Sequence, residues 1–205
     1  MKKVIICEGF NDGLFMESLV SKLGFHKTKI KIFKQLDVSI EEKKDAETRI
    51  LRSFIDDNSF NPYDILIKLE GGKDSAIKLF SRELVYSLRK IDNLILILDI
   101  DNSNFEGKKN LIKDMVNKIF GQTIPLELNF KEKNQNKHLH HSSCKVTING
   151  TKQEVGEFQM VLFKNNLENV CGIVNKKDTE EDKRIKIEKL ITENKLPDFF
   201  SQIIN

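Results

Sequence analysis

Short apolar segments bounded by charged and turn-forming residues recur along the first half of the chain. They occupy residues 4–7, 64–69 and 94–98, and each is followed by polar residues and then by apolar positions at helical spacing. Apolar runs of this length are typical of strands buried on both faces, as in parallel sheets covered by helices. We therefore predict an α/β fold with a mostly parallel, Rossmann-like sheet between helices.

A more polar pattern interrupts this series at residues 27–62. Lysines alternate with apolar residues up to Phe33, which predicts a half-exposed strand at the edge of the sheet. Sparse apolar positions in the charged stretch 39–55 predict a helix with one face on the core. We interpret residues 27–62 as a helical insertion.

The pattern changes again after Pro125. Residues 126–130 alternate like a strand, 131–143 are polar and predict a mobile loop, and Asn149-Gly150 predicts the two-residue turn of a hairpin. Residues 158–163 continue as a strand or a short helix. We divide the chain into a domain at 1–125 and a small α+β extension of hairpin and helices at 126–205.

Composition limits the classes of protein to consider. The 205 residues carry 34 basic and 31 acidic side chains, a net charge of +3 that permits a local basic patch without indicating a nucleic-acid binder. No apolar run approaches the roughly 18 residues of a membrane span, so we expect no membrane partner. The apolar run at residues 4–7 is too short for a secretory signal, and we expect a cytoplasmic protein with reduced, mostly buried cysteines.

The apolar segment near the end of the chain is a candidate docking element. Phe199, Phe200, Ile203 and Ile204 cluster there. We expect this segment to pack on the body of the protein or to mediate contact with a second copy or a separate protein partner.

The central strand predicted at residues 94–98 ends in Asp99-Ile100-Asp101-Asn102. Residues two apart on a strand point the same way, so Asp99 and Asp101 should project together from its carboxyl end, where open α/β sheets bind ligands. Two carboxylates this close repel each other unless a cation lies between them, and a divalent metal is the usual one. The alternative is a solvated strand end whose aspartates cap the next turn.

The first predicted strand ends in Glu8-Gly9, with Asp12 shortly after. Glu8 should reach the same edge of the sheet, and Gly9 would permit a sharp turn there. Asp12 is either the cap of the following helix or part of the same site.

Gly71, Gly72 and Lys73 lie between the predicted strand at 64–69 and the next helix. Two glycines and a lysine at a helix N-terminus can hold a phosphate, or they can form a plain tight turn. They do not match the Walker A spacing. His138, His140 and His141 lie close together, but no second ligand cluster is near them in sequence, which disfavours a closed metal site.

These motifs together resemble the Toprim domain of topoisomerases, bacterial primases and OLD-family nucleases. In that domain a strand ends in Glu-Gly with an Asp shortly after, and a later strand ends in Asp-x-Asp; here the matching residues are Glu8, Gly9, Asp12, Asp99 and Asp101. The resemblance covers residues 1–125 and implies a Toprim-like sheet that binds Mg²⁺ or Mn²⁺ through Glu8, Asp99 and Asp101. It also implies that Glu8 is a further metal ligand or the general acid/base.

The resemblance leads us to expect phosphoryl transfer on DNA or RNA, most simply by a nuclease-like phosphodiesterase. In that enzyme Glu8, Asp99 and Asp101 would be catalytic, Lys73, Gly71 and Gly72 would bind phosphate, and Gly9, Asp12 and Asn102 would support the site. The alternative is a Toprim-like nucleic-acid-binding accessory protein without turnover of its own.

Two other activities are disfavoured by the sequence. A topoisomerase needs a nucleophilic tyrosine, and neither Tyr63 nor Tyr86 lies in a supporting motif. Phosphatases of the haloacid-dehalogenase class also use Asp-x-Asp, but on their first strand and with Thr or Val two residues after the second Asp, where this chain has Ser103.

Overall fold

The computed structural model describes residues 2–34, 40–56, 62–101 and 104–204, and within the second of these ranges the side chains from residue 46 onward. The strands of this part of the chain are β1 (Lys3–Cys7), β2 (Ile30–Phe33), β3 (Ile65–Leu69), β4 (Asn93–Asp99), β5 (Leu126–Gln135), β6 (Leu139–Ile148) and β7 (Glu154–Phe163). Its α-helices are α1 (Phe10–Lys22), α2 (Ile40–Asp56), α3 (Lys73–Leu88), α4 (Phe105–Phe120), α5 (Leu167–Cys171), α6 (Glu180–Glu193) and α7 (Leu196–Ile204).

The described strands form one seven-stranded sheet in the order β2-β3-β1-β4-β7-β6-β5. The neighbours from β2 to β7 are parallel, while β6 and β5 are antiparallel additions. The predicted α/β class and mostly parallel sheet are confirmed. Because β1 lies between β3 and β4, the carboxyl ends of these three strands meet at one edge, as the sequence predicted.

The residues after 125 extend this sheet. β7 pairs directly with β4, Asp99 opposite Phe163, and β6 and β5 follow outward. The hydrogen-bonded sheet is therefore continuous across the position where we divided the chain. The insertion at 27–62 contributes edge strand β2, in the predicted position, and helix α2.

Strand alternation separates two cores, one on each face of the sheet. One core lies under α1, α6 and α7 and takes Ile5, Cys7, Ile95 and Ile97 from the two central strands. The other lies under α2, α3 and α4 and takes Val4, Ile6, Leu94, Leu96 and Leu98. Burial on both faces explains why β1 and β4 are continuously apolar.

The C-terminal helix α7 packs on the body of the same chain. Phe200 is fully buried and contacts Phe15 of α1 edge-on, with ring centroids 5.8 Å apart. The predicted packing on the body is confirmed, whereas contact with a second copy or a partner stays a prediction. None of the described helices is both long and apolar enough to cross a membrane.

The predicted mobile loop at 131–143 is wrong. Most of these residues belong to β5 and β6. The outer half of β5 is exposed at the edge of the sheet, where a strand can carry polar side chains on both faces. Its polar composition therefore resembles that of a loop. The connection between β6 and β7 is also longer than the predicted two-residue turn and spans residues 149–153.

Candidate functional site

A cavity of about 530 Å³ opens where β1, β3 and β4 end. We call it the acidic cavity; its lining residues are Glu8, Gly9, Asp12, Gly71, Gly72, Asp99, Asp101, Asn166, Glu168 and Asn175. The structure thus brings most of the sequence-predicted site residues to one place. Lys73 lines the adjoining cavity, which shares Asp101, and Asn102 lies outside the described residues.

Asp99 differs from the other carboxylates of the acidic cavity in having a buried oxygen without a hydrogen-bond partner among the described residues. It is only 8% exposed, and the unpartnered oxygen is Oδ1. Burial raises its pKa to about 7, helped by the negative charges of Glu8, Glu168 and Asp101, although the backbone N–H of Leu167 donates to it and opposes the rise. Among the described residues this buried carboxyl group forms no ion pair with a lysine or arginine, so a proton or a bound cation would have to balance its charge.

Glu8 follows β1 and lies beside the end of β4. The backbone N–H of Asp99 donates to its Oε2 over a long 3.4 Å. Burial and the charge of Asp101 raise the pKa of Glu8, while that hydrogen bond, Lys73 and Lys108 counteract the rise. A carboxyl group with a raised pKa can exchange a proton closer to neutral pH.

Gly9 does not make the sharp turn that we expected. Its φ of −143° is extended backbone, and an added Cβ would meet Asp12 Oδ2 at an ordinary 3.6 Å. Asp12 Oδ2 accepts the backbone N–H of Gly9 at 2.8 Å and so caps α1, while Asp12 also lines the acidic cavity. Asp12 therefore caps the helix and also borders the cavity, while its part in a functional site stays a prediction. Its burial, with the nearby charge of Asp99, raises its pKa well above the usual range.

Asp101 departs from the strand geometry that we expected. β4 ends at Asp99, and Asp101 has a φ of 51°, in the left-handed region that aspartate tolerates better than most residues. Alternation along the strand therefore does not set its direction. Its Oδ2 lies 2.8 Å from Lys73 Nζ and 3.6 Å from Lys108 Nζ. Burial raises the pKa of Asp101, but the two lysines outweigh burial and lower it overall.

The loop before α3 needs its glycines. Gly71 and Gly72 have φ values of 67° and 154°, conformations that side chains rarely adopt. The N–H of Gly72 donates to the carbonyl of Glu8 at 2.8 Å, which ties this loop to the end of β1. Lys73, the first residue of α3, is thereby placed beside the acidic cavity, where its ammonium group forms an ion pair with Asp101.

Sequence reasoning missed Lys108. This lysine of α4 is only 2% exposed, and its burial, together with Lys73, lowers its pKa. It lies four residues before Ile112 and eight before Val116, on the buried stripe of the helix. A lysine on an apolar stripe was the available signal, since such a side chain needs a partner at its charged end.

Sequence reasoning also missed the wall formed by Asn166, Glu168 and Asn175. The amide of Asn11 in α1 donates to Glu168 Oε1 at 2.6 Å and to Asn175 Oδ1 at 3.0 Å. Asn166 caps the five-residue helix α5 by accepting the N–H of Asn169 at 2.9 Å. So short a helix has no periodicity to detect, and its position follows from the pairing of β7 with β4.

The donor chemistry of the acidic cavity fits Mg²⁺ or Mn²⁺, which prefer carboxylate and carbonyl oxygens. The unpartnered, buried Asp99 Oδ1 is the atom that such an ion would satisfy. As placed, no three His, Cys, Asp or Glu side chains within the described ranges converge closely enough to hold one ion. Binding would therefore require side-chain rotation, above all at Asp101, which now faces Lys73.

Two of the three neighbouring histidines, His140 and His141, lie on opposite faces of the sheet. His140 stacks on Phe105 with ring centroids 3.6 Å apart, whereas the neighbouring His141 bonds Gln159 at 2.9 Å on the other face of the sheet. Burial lowers the pKa of both. Adjacent strand residues point to opposite faces, so these two rings do not converge on one ion.

Comparison with family models, with curated proteins and with solved structures found no match. The functional assignment therefore rests on the residues and the geometry described above.

Proposed function

We propose that this chain is a Toprim-like, Mg²⁺- or Mn²⁺-dependent enzyme that acts on phosphodiester bonds of DNA or RNA, most simply as a nuclease. The observation that carries the proposal is the buried, unpartnered Asp99 Oδ1 in a cavity bordered by Glu8, Asp101 and Lys73. An excess of carboxylates next to lysines suits a ligand that brings both a divalent cation and a phosphate.

Glu8, Asp99 and Asp101 would hold the metal in this proposal. A bound divalent ion neutralises charge that develops on phosphate oxygens and lowers the pKa of a coordinated water. Asp99 is the anchor, because it is buried and its unpartnered oxygen needs no contact to be broken.

The remaining roles belong to the chain's own groups. Lys73, held by the Gly71-Gly72 loop, would bind a phosphate oxygen in exchange for its contact with Asp101. Lys108 would stabilise the same negative charge from its buried position 3.6 Å from Asp101. The alternative role for Glu8 is proton transfer: where it does not hold the metal, its raised pKa suits it to move a proton at the attacking or leaving oxygen.

The test is cleavage of end-labelled single- and double-stranded DNA and RNA in Mn²⁺, with wild type beside Asp99→Asn. We expect cleavage by wild type and a loss of at least 100-fold in Asp99→Asn, since the metal anchor is removed. Asp114→Asn, on the exposed side of α4, is the matched control and should cleave like wild type. Equal cleavage by Asp99→Asn and wild type would exclude this site.

A Toprim-like accessory protein that binds nucleic acid without turnover is the second candidate. The ion pair of Asp101 with Lys73 favours this candidate, because an Asp101 carboxylate that is paired with a lysine is not available as a metal ligand. This candidate predicts salt-dependent binding of an oligonucleotide that Lys73→Met weakens, with no cleavage in any divalent metal.

A further inference from the structure

The carboxylates predicted from the sequence all come from residues 1–125, yet the acidic cavity has a wall from the other end of the chain. Glu168, in α5, lines it together with Glu8 and Asp99. Resting on the proposed function, we infer that Glu168 is a ligand of the same divalent metal and that Asn11 is the residue that positions it.

The first support is the fixed place of Glu168. The amide of Asn11 is only 7% exposed and donates to Glu168 Oε1 at 2.6 Å, while it also holds Asn175 at 3.0 Å. α1, which begins directly after Glu8-Gly9, thus fastens the segment after β7 to the cavity. A carboxylate held this way loses little freedom when it binds an ion, which favours affinity.

The second support is charge. Glu168 forms no ion pair with a lysine or arginine of the described residues, so its negative charge is not balanced by a cation of the chain. Asp99 Oδ1, which borders the same cavity, is buried and has no described hydrogen-bond partner. Carboxylate oxygens that face no cation are the ligands that a hard divalent ion takes.

The inference has a structural consequence. The backbone N–H of Leu167, the residue before Glu168, donates to Asp99. The segment after β7 therefore contacts the proposed anchor through this hydrogen bond, and it places Glu168 on the wall of the same cavity. On this account residues 1–125 alone hold an incomplete metal site.

The experiment is Mn²⁺ binding to the metal-free full chain, measured by calorimetry and by the electron paramagnetic resonance of bound Mn²⁺. Glu168→Gln keeps the acceptor for Asn11 and removes only the charge. We expect its dissociation constant to rise at least 10-fold, with an altered spectrum of any bound ion. Glu181→Gln, on the exposed start of α6, should bind like wild type.

Asn11→Ala tests the positioning role and covers the case in which Glu168→Gln does not fold. It should weaken Mn²⁺ binding less than Glu168→Gln, and Asn11→Ala/Glu168→Gln should bind no more weakly than Glu168→Gln alone. Unchanged affinity and spectrum in Glu168→Gln, with binding lost in Asp99→Asn, would overturn the role of Glu168 and leave the proposed function standing. Absence of binding by wild type, even with an oligonucleotide present, would overturn both.

Discussion

Two clusters of charged side chains lie near the same end of the sheet, and they differ in burial and in whether their carboxylates contact a lysine. In the first, which we call the Lys68 triad, Lys68 Nζ of β3 contacts Glu47 at 2.5 Å and Glu70 at 2.8 Å, and all three side chains are almost fully buried. The second is the acidic cavity. Its two nearest ammonium groups, Lys73 and Lys108, are both directed to Asp101, so Glu8, Asp12, Asp99 and Glu168 have no cation of their own among the described residues.

The difference separates a structural cluster from a candidate site. In the Lys68 triad both carboxylates contact the same ammonium group, although one negative charge is left in excess, and none of its three residues lines the acidic cavity. The acidic cavity is open, and Asp99 keeps an unpartnered oxygen there. A folded chain accepts such a cost where function requires it. The comparison predicts opposite responses to mutation and to metal.

The largest expected effect comes from breaking the Lys68 triad. Lys68→Met removes the ammonium group that the buried carboxylates of Glu47 and Glu70 both contact, and we expect a loss of about 3–5 kcal/mol in the free energy of unfolding. Urea unfolding measures it, with Lys78→Met on the exposed side of α3 as a control that should stay within about 0.5 kcal/mol. Combining Lys68→Met with Glu47→Gln and Glu70→Gln should recover much of the loss; no recovery would show that packing rather than charge stabilises the triad.

The next effect is stabilisation of the acidic cavity by metal. Mn²⁺ at about 100 times its dissociation constant should add about 2.7 kcal/mol to the stability of wild type, a rise in Tm of roughly 5–11 °C for a chain of this size. Thermal unfolding with and without Mn²⁺ measures the shift. Lys68→Met should show the same rise in Tm on addition of Mn²⁺, starting from a lower Tm, whereas Asp99→Asn should show no rise. A rise in Asp99→Asn equal to that of wild type would mean that the metal binds elsewhere.

A smaller effect concerns Asp99 without metal. Because its folded-state pKa is raised to about 7, Asp99 contributes stability below its unfolded pKa, and this contribution is lost as the pH rises through about 7. Asp99→Asn should therefore be more stable than wild type at pH 8 in chelator, on the order of 1–3 kcal/mol, and lose this advantage near pH 4. Urea unfolding across this range tests it, and a destabilised Asp99→Asn at pH 8 would contradict the account.

The smallest effect on stability is expected at Lys73. Its ion pair with Asp101 is partly exposed, so Lys73→Met should change the free energy of unfolding by less than about 1 kcal/mol. Mn²⁺ affinity should stay the same or rise as Asp101 is released, while oligonucleotide binding falls. A large loss of Mn²⁺ affinity would mean that Lys73 organises the metal site rather than the phosphate site.

Local patterns predicted much of the site. Glu8, Asp99 and the Gly71-Gly72 loop each follow a short apolar run, and parallel pairing brings the ends of such runs together. The position of the acidic cavity therefore follows from these segments and the rule for α/β sheets, and it does not depend on how the second half of the chain folds.

The residues that were missed depend on longer-range structure. Glu168 reaches the cavity because β7 pairs with β4, a contact between segments about sixty residues apart in sequence that no local pattern encodes. The direction of the Asp101 side chain follows from the left-handed backbone conformation of Asp101 itself. The alternation of side chains along a strand does not apply there, because β4 ends at Asp99. The polar outer half of β5 was missed because edge strands can be polar.

Calorimetry of Mn²⁺ binding to the metal-free protein, with wild type beside Asp99→Asn/Asp101→Asn, tests the central claim most directly. The account predicts saturable binding by wild type and none by the double variant, with both folded by circular dichroism. Equal binding by both proteins, or binding by neither even with an oligonucleotide present, would contradict the claim that the acidic cavity is a metal site.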